Sequence, residues 1–129
     1  MNKLEIEKRL RRTELRGGGY WIAAGGAMVM RGIRQETRDI DLGCTAELAD
    51  RLEACGYCTG RTPDGKRKIA LCDGIDLFED WLCDRVETVD GFPVVSVAGI
   101  IKMKEALGRE KDLADRALIK EFLKNEGGE

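Results

Sequence analysis

The segment YWIAAGGAMVMRGIRQETRDIDL, Tyr20 to Leu42, does most to restrict how this chain can fold. Tyr20 to Ala24 is short and apolar and reads as a strand. Gly25 and Gly26 interrupt it, and Gly26 to Ile33, carrying Ala27, Met28, Val29 and Met30, reads as a helix. After a polar loop, Arg38 to Leu42 alternates polar and apolar residues, the pattern of a half-buried strand. Strand, glycine turn, helix and strand in that order belong to a mixed α/β architecture.

The rest of the chain agrees. Asn2 to Arg16 reads as a charged helix with Ile6, Leu10 and Thr13 on one side, stopped by Gly17, Gly18 and Gly19. Thr45 is an N-cap for a helix over Ala46 to Cys55, with Gly56 past its end. The turn TPDGKR lets Tyr57–Gly60 pair with Lys66–Cys72, and Ile75 to Phe78 forms another alternating strand after Gly74. DGFP turns the chain before Val94 and Val95; Ser96 then caps a helix that reaches Leu107 and Gly108. A last helix runs from about Glu110 to Lys124, ahead of a frayed tail, NEGGE. The expectation is one α/β (α+β) domain, a mixed sheet flanked by helices, over all 129 residues. Within it, residues 1–19 are the N-terminal helix, 20–95 the core, 96–124 the C-terminal helices and 125–129 the tail.

Composition removes whole classes of chemistry. With no histidine, neither Ser-His-Asp nor Cys-His catalysis nor His-ligated zinc is available. A net charge of -2 gives no global pull toward nucleic acid or membrane. No apolar run approaches a membrane span, and the charged N-terminus lacks the apolar core of a signal peptide, so a cytoplasmic protein is expected. An odd number of cysteines, five, argues for reduced thiols, read here as small buried hydrophobes. Chemistry is left to carboxylates, cations and a hard metal.

Strand periodicity puts Asp39 and Asp41 on one face with Ile40 and Leu42 opposite. Two carboxylates side by side repel unless a cation lies between them, and Mg²⁺ suits such oxygens. Taken alone, Asp-x-Asp is a weak signal, and an exposed sheet face is the better reading of it. The glycine turn into a helix offers free amides to an anion, though an ordinary turn would look the same. Arg31, Arg34 and Arg38 lie between the two features, and at least one of them reads as a solvated charge. Asp76, on the alternating strand IDLF, is the candidate third carboxylate. On the helix from Ser96, Lys104 falls in the middle of the stripe formed by Val97, Ile100, Ile101 and Leu107. A lysine there needs an anionic partner or a cleft: a phosphate or one of the acids. Lys111 and Asp115 read as a helical ion pair, and Arg109 and Asp112 as residues of a helix start.

Ala24-Gly25-Gly26, a twelve-residue spacer and Asp39-Ile40-Asp41-Leu42 together resemble the signature of the nucleotidyltransferase superfamily, the polymerase-beta-like fold. The stretch RGIRQETRDIDL and the C-terminal KEALGREKDLADRALI resemble its small bacterial branch, related to toxin–antitoxin and antibiotic-modifying nucleotidyltransferases. The resemblance implies transfer of a nucleoside monophosphate from an NTP to a hydroxyl of a small molecule, protein or RNA, with two Mg²⁺ ions. By position it implies that Gly25, Gly26, Arg34, Arg38 and Lys104 hold the nucleotide. Asp39, Asp41 and Asp76 would be both metal ligands and catalytic carboxylates. Gly26 departs from the serine common in active members. The alternative is therefore a weak or inactive binding module on the same fold, such as a toxin–antitoxin component working with a protein partner or as a homo-oligomer.

Overall fold

Each helix that the sequence caps is capped in the structure. Asn2 accepts from Glu5 N, and Glu5 reaches back to Asn2 N, a capping box at the start of α1 (Lys3–Arg11). Thr45 caps α3 (Ala46–Ala54) and Ser96 caps α4 (Val97–Leu107), which ends on Gly108 at φ +58°. The remaining helices are α2 (Ala24–Met30) and α5 (Glu110–Gly127). The computed structural model describes all residues except 14, 16, 17, 73, 82–84 and 128–129, and the side chains of 126 and 127. Gly17, Asp73 and Cys83 therefore lie outside the described residues.

Seven strands form one mixed sheet: β1 (Tyr20–Ala23), β2 (Ile40–Cys44), β3 (Cys58–Arg61), β4 (Arg67–Cys72), β5 (Ile75–Glu79), β6 (Val86–Val89) and β7 (Phe92–Val95). Their spatial order is β3-β4-β5-β2-β1-β7-β6. The β2–β5 and β1–β7 pairs are parallel, the others antiparallel. Ile22, Ile40, Leu42, Ile69, Ile75 and Leu77 share one sheet face, all buried against Ile6 of α1 and Met28 and Met30 of α2. The other face carries Asp41, Asp76, Lys68 and Phe78.

Helix α2 begins at Ala24 and ends at Met30 instead of running from Gly26 to Ile33, and four further boundaries differ from the sequence reading, each for a local reason. Helix α1 stops at Arg11 because the chain turns there to bury Leu15, with the Thr13 hydroxyl on Leu10 O at 2.7 Å. Strand β2 begins at Ile40, so Arg38 and Asp39 precede it, held by Thr37 Oγ1 on Asp39 O at 3.2 Å. Strand β6 has no clear alternation; Asp90 and Gly91, both at positive φ, form the tight turn that pairs it with β7. Helix α5 continues through Asn125 to Gly127, so the expected tail starts later.

The cysteines also differ. Cys44 is buried, and burial pushes its thiol up to about 11. Cys55, Cys58 and Cys72 are exposed thiols and not core residues, because Cys55 caps the end of α3 and Cys58 opens the edge strand. Among the described residues no helix is long and apolar enough to cross a membrane.

One glycine is fixed by packing. A Cβ on Gly43 would fall 1.9 Å from Trp21 Nε1 and 2.5 Å from Trp81 O, the two atoms joined by a 2.8 Å hydrogen bond. Gly43→Ala is expected to force that bond apart and destabilise the fold by about 1–3 kcal/mol in denaturant unfolding, the usual cost of overpacking.

Candidate functional site

The parallel register of β2 and β5 sets Asp41 directly beside Asp76. Asp39 stands just ahead of Asp41, exposed at the start of the strand. Asp41 is half-buried, and its carboxyl is raised above the usual range by burial first, then by Asp76 and Asp39; Lys68 and Lys111 act weakly the other way. The repulsion felt by Asp41 thus comes from the two other predicted carboxylates. Among the described residues no group of three such side chains is drawn into a ready metal cage. Mg²⁺ does not require one: it is commonly held by one or two carboxylates, with waters and substrate phosphates completing its shell. The hard oxygens and unrelieved repulsion at Asp41 fit that kind of site.

Asp39 and Asp41 form part of the wall of a cavity of about 420 Å³ that also includes Ala24, Gly25, Arg34, Thr37 and Arg38. Residues from α4 and α5 close the opposite wall, among them Lys104, Arg109, Lys111 and Asp115. Five cationic side chains there outnumber three carboxylates, so the cavity favours an anion. At its base the chain passes from β1 into α2 through Ala24, held at φ +54°, a strained conformation for a residue with a side chain. Helix α2 receives no side-chain cap, unlike α1, α3 and α4, so its first amides are left for another acceptor. Gly25 is tightly framed: a Cβ there would lie 2.7 Å from Thr37 Oγ1 and 3.5 Å from Arg34 Nη1. Gly26 is different. It is buried, and its Cβ direction leads to Ile22 and Ile40 at 3.1 and 3.7 Å, into the core and away from the cavity.

The cations separate by their partners. Arg31 turns away to Val95 O at 3.0 Å and Glu87 at 2.7 Å, and ties α2 to the β6–β7 hairpin. Arg34 approaches Asp115 at 3.7 Å. Lys104 is 4% exposed, with its ammonium 2.8 Å from Asp115 and 3.3 Å from Asp112. The wrong-sided lysine therefore has carboxylate partners on α5 as well as a place in the cavity wall. Asp115 is taken by Lys104 and Arg34, so the expected Lys111–Asp115 pair does not form; among the described residues Lys111 and Arg38 have no ion-pair partner. Asp112 is fully buried, and hydrogen bonds from Arg109 hold its carboxyl down at about 2. Sequence reasoning missed Thr37, Arg109 and Lys111 as cavity residues. The density of cations in GREKD was the available signal, but only the packing of α5 against α4 gives it a direction.

No family model matches the chain, and no curated protein matches its sequence. Solved structures do. A Thermotoga maritima protein proposed to be a nucleotidyltransferase superposes with a TM-score of 0.64 at 18% identity, covering 94% of this chain and 96% of its own. ANT(2″)-Ia, solved in complex with adenylyl-2″-tobramycin, superposes with a TM-score of 0.62 at 21% identity, covering 97% and 91%. The fold is that of the nucleotidyltransferases. The likeness in fold covers nearly the whole chain.

Two outcomes follow from the charges. Asp41 binds a proton more tightly folded than unfolded, so its ionised form opposes folding above its raised pKa. Asp41→Asn is expected to stabilise the protein at pH 7, with the gain fading as pH falls through that pKa, read by urea unfolding across pH. Asp112 has the opposite sign: its contribution is present above the ordinary aspartate range and is lost as pH falls toward about 2. Asp112→Ala leaves Lys104 buried beside a missing partner and should cost about 3–5 kcal/mol.

Proposed function

We propose that this chain is a nucleotidyltransferase that moves a nucleoside monophosphate from an NTP to an acceptor hydroxyl with the help of Mg²⁺. The observation that carries this reading is Asp41 beside Asp76 on adjacent parallel strands, at the edge of a cationic cavity whose base is an uncapped strand-to-helix turn. The 129 residues act in this reading as one catalytic domain.

The triphosphate lies in the cavity over Gly25, where the absent Cβ lets it approach the backbone. Arg38 and Lys111, free of ion-pair partners among the described residues, neutralise its charge, and Arg34 and Arg109 supply donors from the two walls. Lys104 supports this wall by fixing α5 through Asp112 and Asp115. Asp39 and Asp41 would hold Mg²⁺, with Asp76 the third ligand; when bound, the metal screens the carboxylates and stabilises the charge developing on the phosphates. The acceptor oxygen forms a bond to the α-phosphorus as the α–β bridging bond breaks and pyrophosphate leaves. The acceptor proton passes to Asp76. Because ANT(2″)-Ia was captured with adenylylated tobramycin, an aminoglycoside is the first acceptor to try.

Titration calorimetry with each Mg-NTP is expected to show saturable binding to wild type that Asp41→Asn removes. Gly25→Ala, whose methyl meets Thr37 and Arg34, should weaken binding about tenfold or more. If no Mg-NTP binds, the reading fails.

A second reading, a non-catalytic module that docks a protein, is favoured by the outer side of α5. Leu113 and Leu123 are exposed there and line an apolar groove of about 300 Å³. It predicts an intact fold, no heat with any Mg-NTP and loss of a co-purifying protein in Leu113→Lys/Leu123→Lys.

A further inference from the structure

A second cleft opens where the end of α1 meets the end of β4. Arg9, Arg12 and Thr13 around the end of α1, Tyr57 just past α3, and Leu71 and Cys72 on β4 line about 420 Å³. It shares no described residue with the cavity beside the acids. A β-bulge shapes it: Ala70 opposes Asp76 and Cys72 opposes Ile75, so Leu71 is one residue in excess and the strand bends there. None of the described lining residues is acidic, although the chain as a whole carries a net charge of -2. Among the described residues neither Arg9 nor Arg12 has an ion-pair partner; Arg9 Nη1 meets the thioether of Met1, a weak acceptor, at 3.1 Å.

We propose that this cleft is an effector site for a phosphate monoester of a ring-sized apolar group, and that its occupancy is felt at the loop carrying Asp39. Neither reading given under the proposed function depends on it. Charge is the first argument. Arg9 and Arg12 stand three residues apart, neighbours on one side of the helix end, and two guanidinium forks suit the several oxygens of a dianionic phosphate. The negative end of α1 does not oppose this, because its carbonyls are taken: Arg9 O by Arg12 N at 3.2 Å, and Leu10 O by Thr13 N at 3.1 Å and Thr13 Oγ1 at 2.7 Å. Shape is the second argument. Half-buried Tyr57 and buried Leu71 give the same cleft an apolar wall, and its volume admits one ring beside the phosphate. The link to the acids is covalently short. Met1, which holds Arg9 through its sulfur, accepts from Thr37 N at 2.9 Å, and Thr37 in turn holds Asp39 O. Arg9 Nη1 also lies 3.4 Å from the Cβ position of Gly74, whose carbonyl accepts from Ile40 N at 2.8 Å, one residue before Asp41. A phosphate that draws Arg9 from the thioether therefore loosens a contact on the strap that holds Thr37.

The test titrates the full chain, labelled with ¹⁵N, with phenyl phosphate, inorganic phosphate and sulfate at one ionic strength. Phenyl phosphate is expected to shift the amides of Thr13, Tyr57, Leu71 and Cys72 in a saturable way and to move Thr37 with the same midpoint. Inorganic phosphate, without the ring, should act at the same amides about tenfold more weakly. Arg12→Gln, at an exposed position, should weaken phenyl phosphate about tenfold or more and remove the Thr37 shift with it; an unchanged unfolding midpoint shows that its fold is intact. If the four amides stay still, or sulfate moves them as strongly as phenyl phosphate does, or Arg12→Gln binds as wild type does, the site is overturned. Because Thr37 also lines the cavity beside the acids, the variant decides the origin of its shift. A Thr37 shift that survives Arg12→Gln, or is missing while the cleft fills, overturns the link to the acid loop.

Discussion

Like charges held abreast are the constraint around which this molecule is arranged. Parallel pairing of β2 with β5 fixes the backbones of Asp41 and Asp76 as direct neighbours on one sheet face. Burial makes the repulsion at Asp41 worse. A fold selected only for stability would place an apolar or neutral residue there. The surrounding cations relieve little of the strain: Lys68 and Lys111 act on Asp41 from outside contact distance, while Arg34 and Lys104 are turned to Asp115. The site therefore waits for positive charge, and the cavity beside it waits for negative charge. On the transfer reading proposed above, a metal–polyphosphate complex would satisfy both at once.

The buried cluster of Lys104, Asp112 and Asp115 determines which cations remain free. A lysine on the apolar side of α4 would be costly alone, and two carboxylates from α5 make it tolerable. In doing so they fix α5 so that Arg109 and Lys111 face the cavity. Helix packing and active-site charge are thus set by one set of contacts. A sequence in which Lys104 paired with phosphate instead would leave α5 without its polar anchor on α4.

Much of this was legible in the chain itself. The caps at Asn2, Thr45 and Ser96, the glycine pair and the alternation in RDIDL and IDLF are local signals, and local physics enforces them. The placing of Asp76 beside Asp41 was an extrapolation from two short alternating strands, and the register agrees with it. What was not legible depends on packing across the molecule. Helix periodicity alone joined Lys111 to Asp115, whereas Lys104 of α4 and Arg34 of the loop after α2 compete for that carboxylate and win it. Gly26 reads in the motif as a missing phosphate contact; the backbone turns that position toward Ile22 and Ile40. The cysteines misled because composition ranks cysteine as buried, while strand edges and helix ends expose whatever residue they happen to hold.

The chain has two tryptophans, and one hydrogen bond joins them, Trp21 Nε1 to Trp81 O, across the bare backbone of Gly43. Trp81 also lies against Phe78, two residues along the strand from Asp76. The tryptophan emission of the protein thus arises from one patch, where buried Trp21 meets the half-buried Trp81. The molecule carries its own optical probe at the border between its rigid core and its open surface, and no label is needed to watch that border respond.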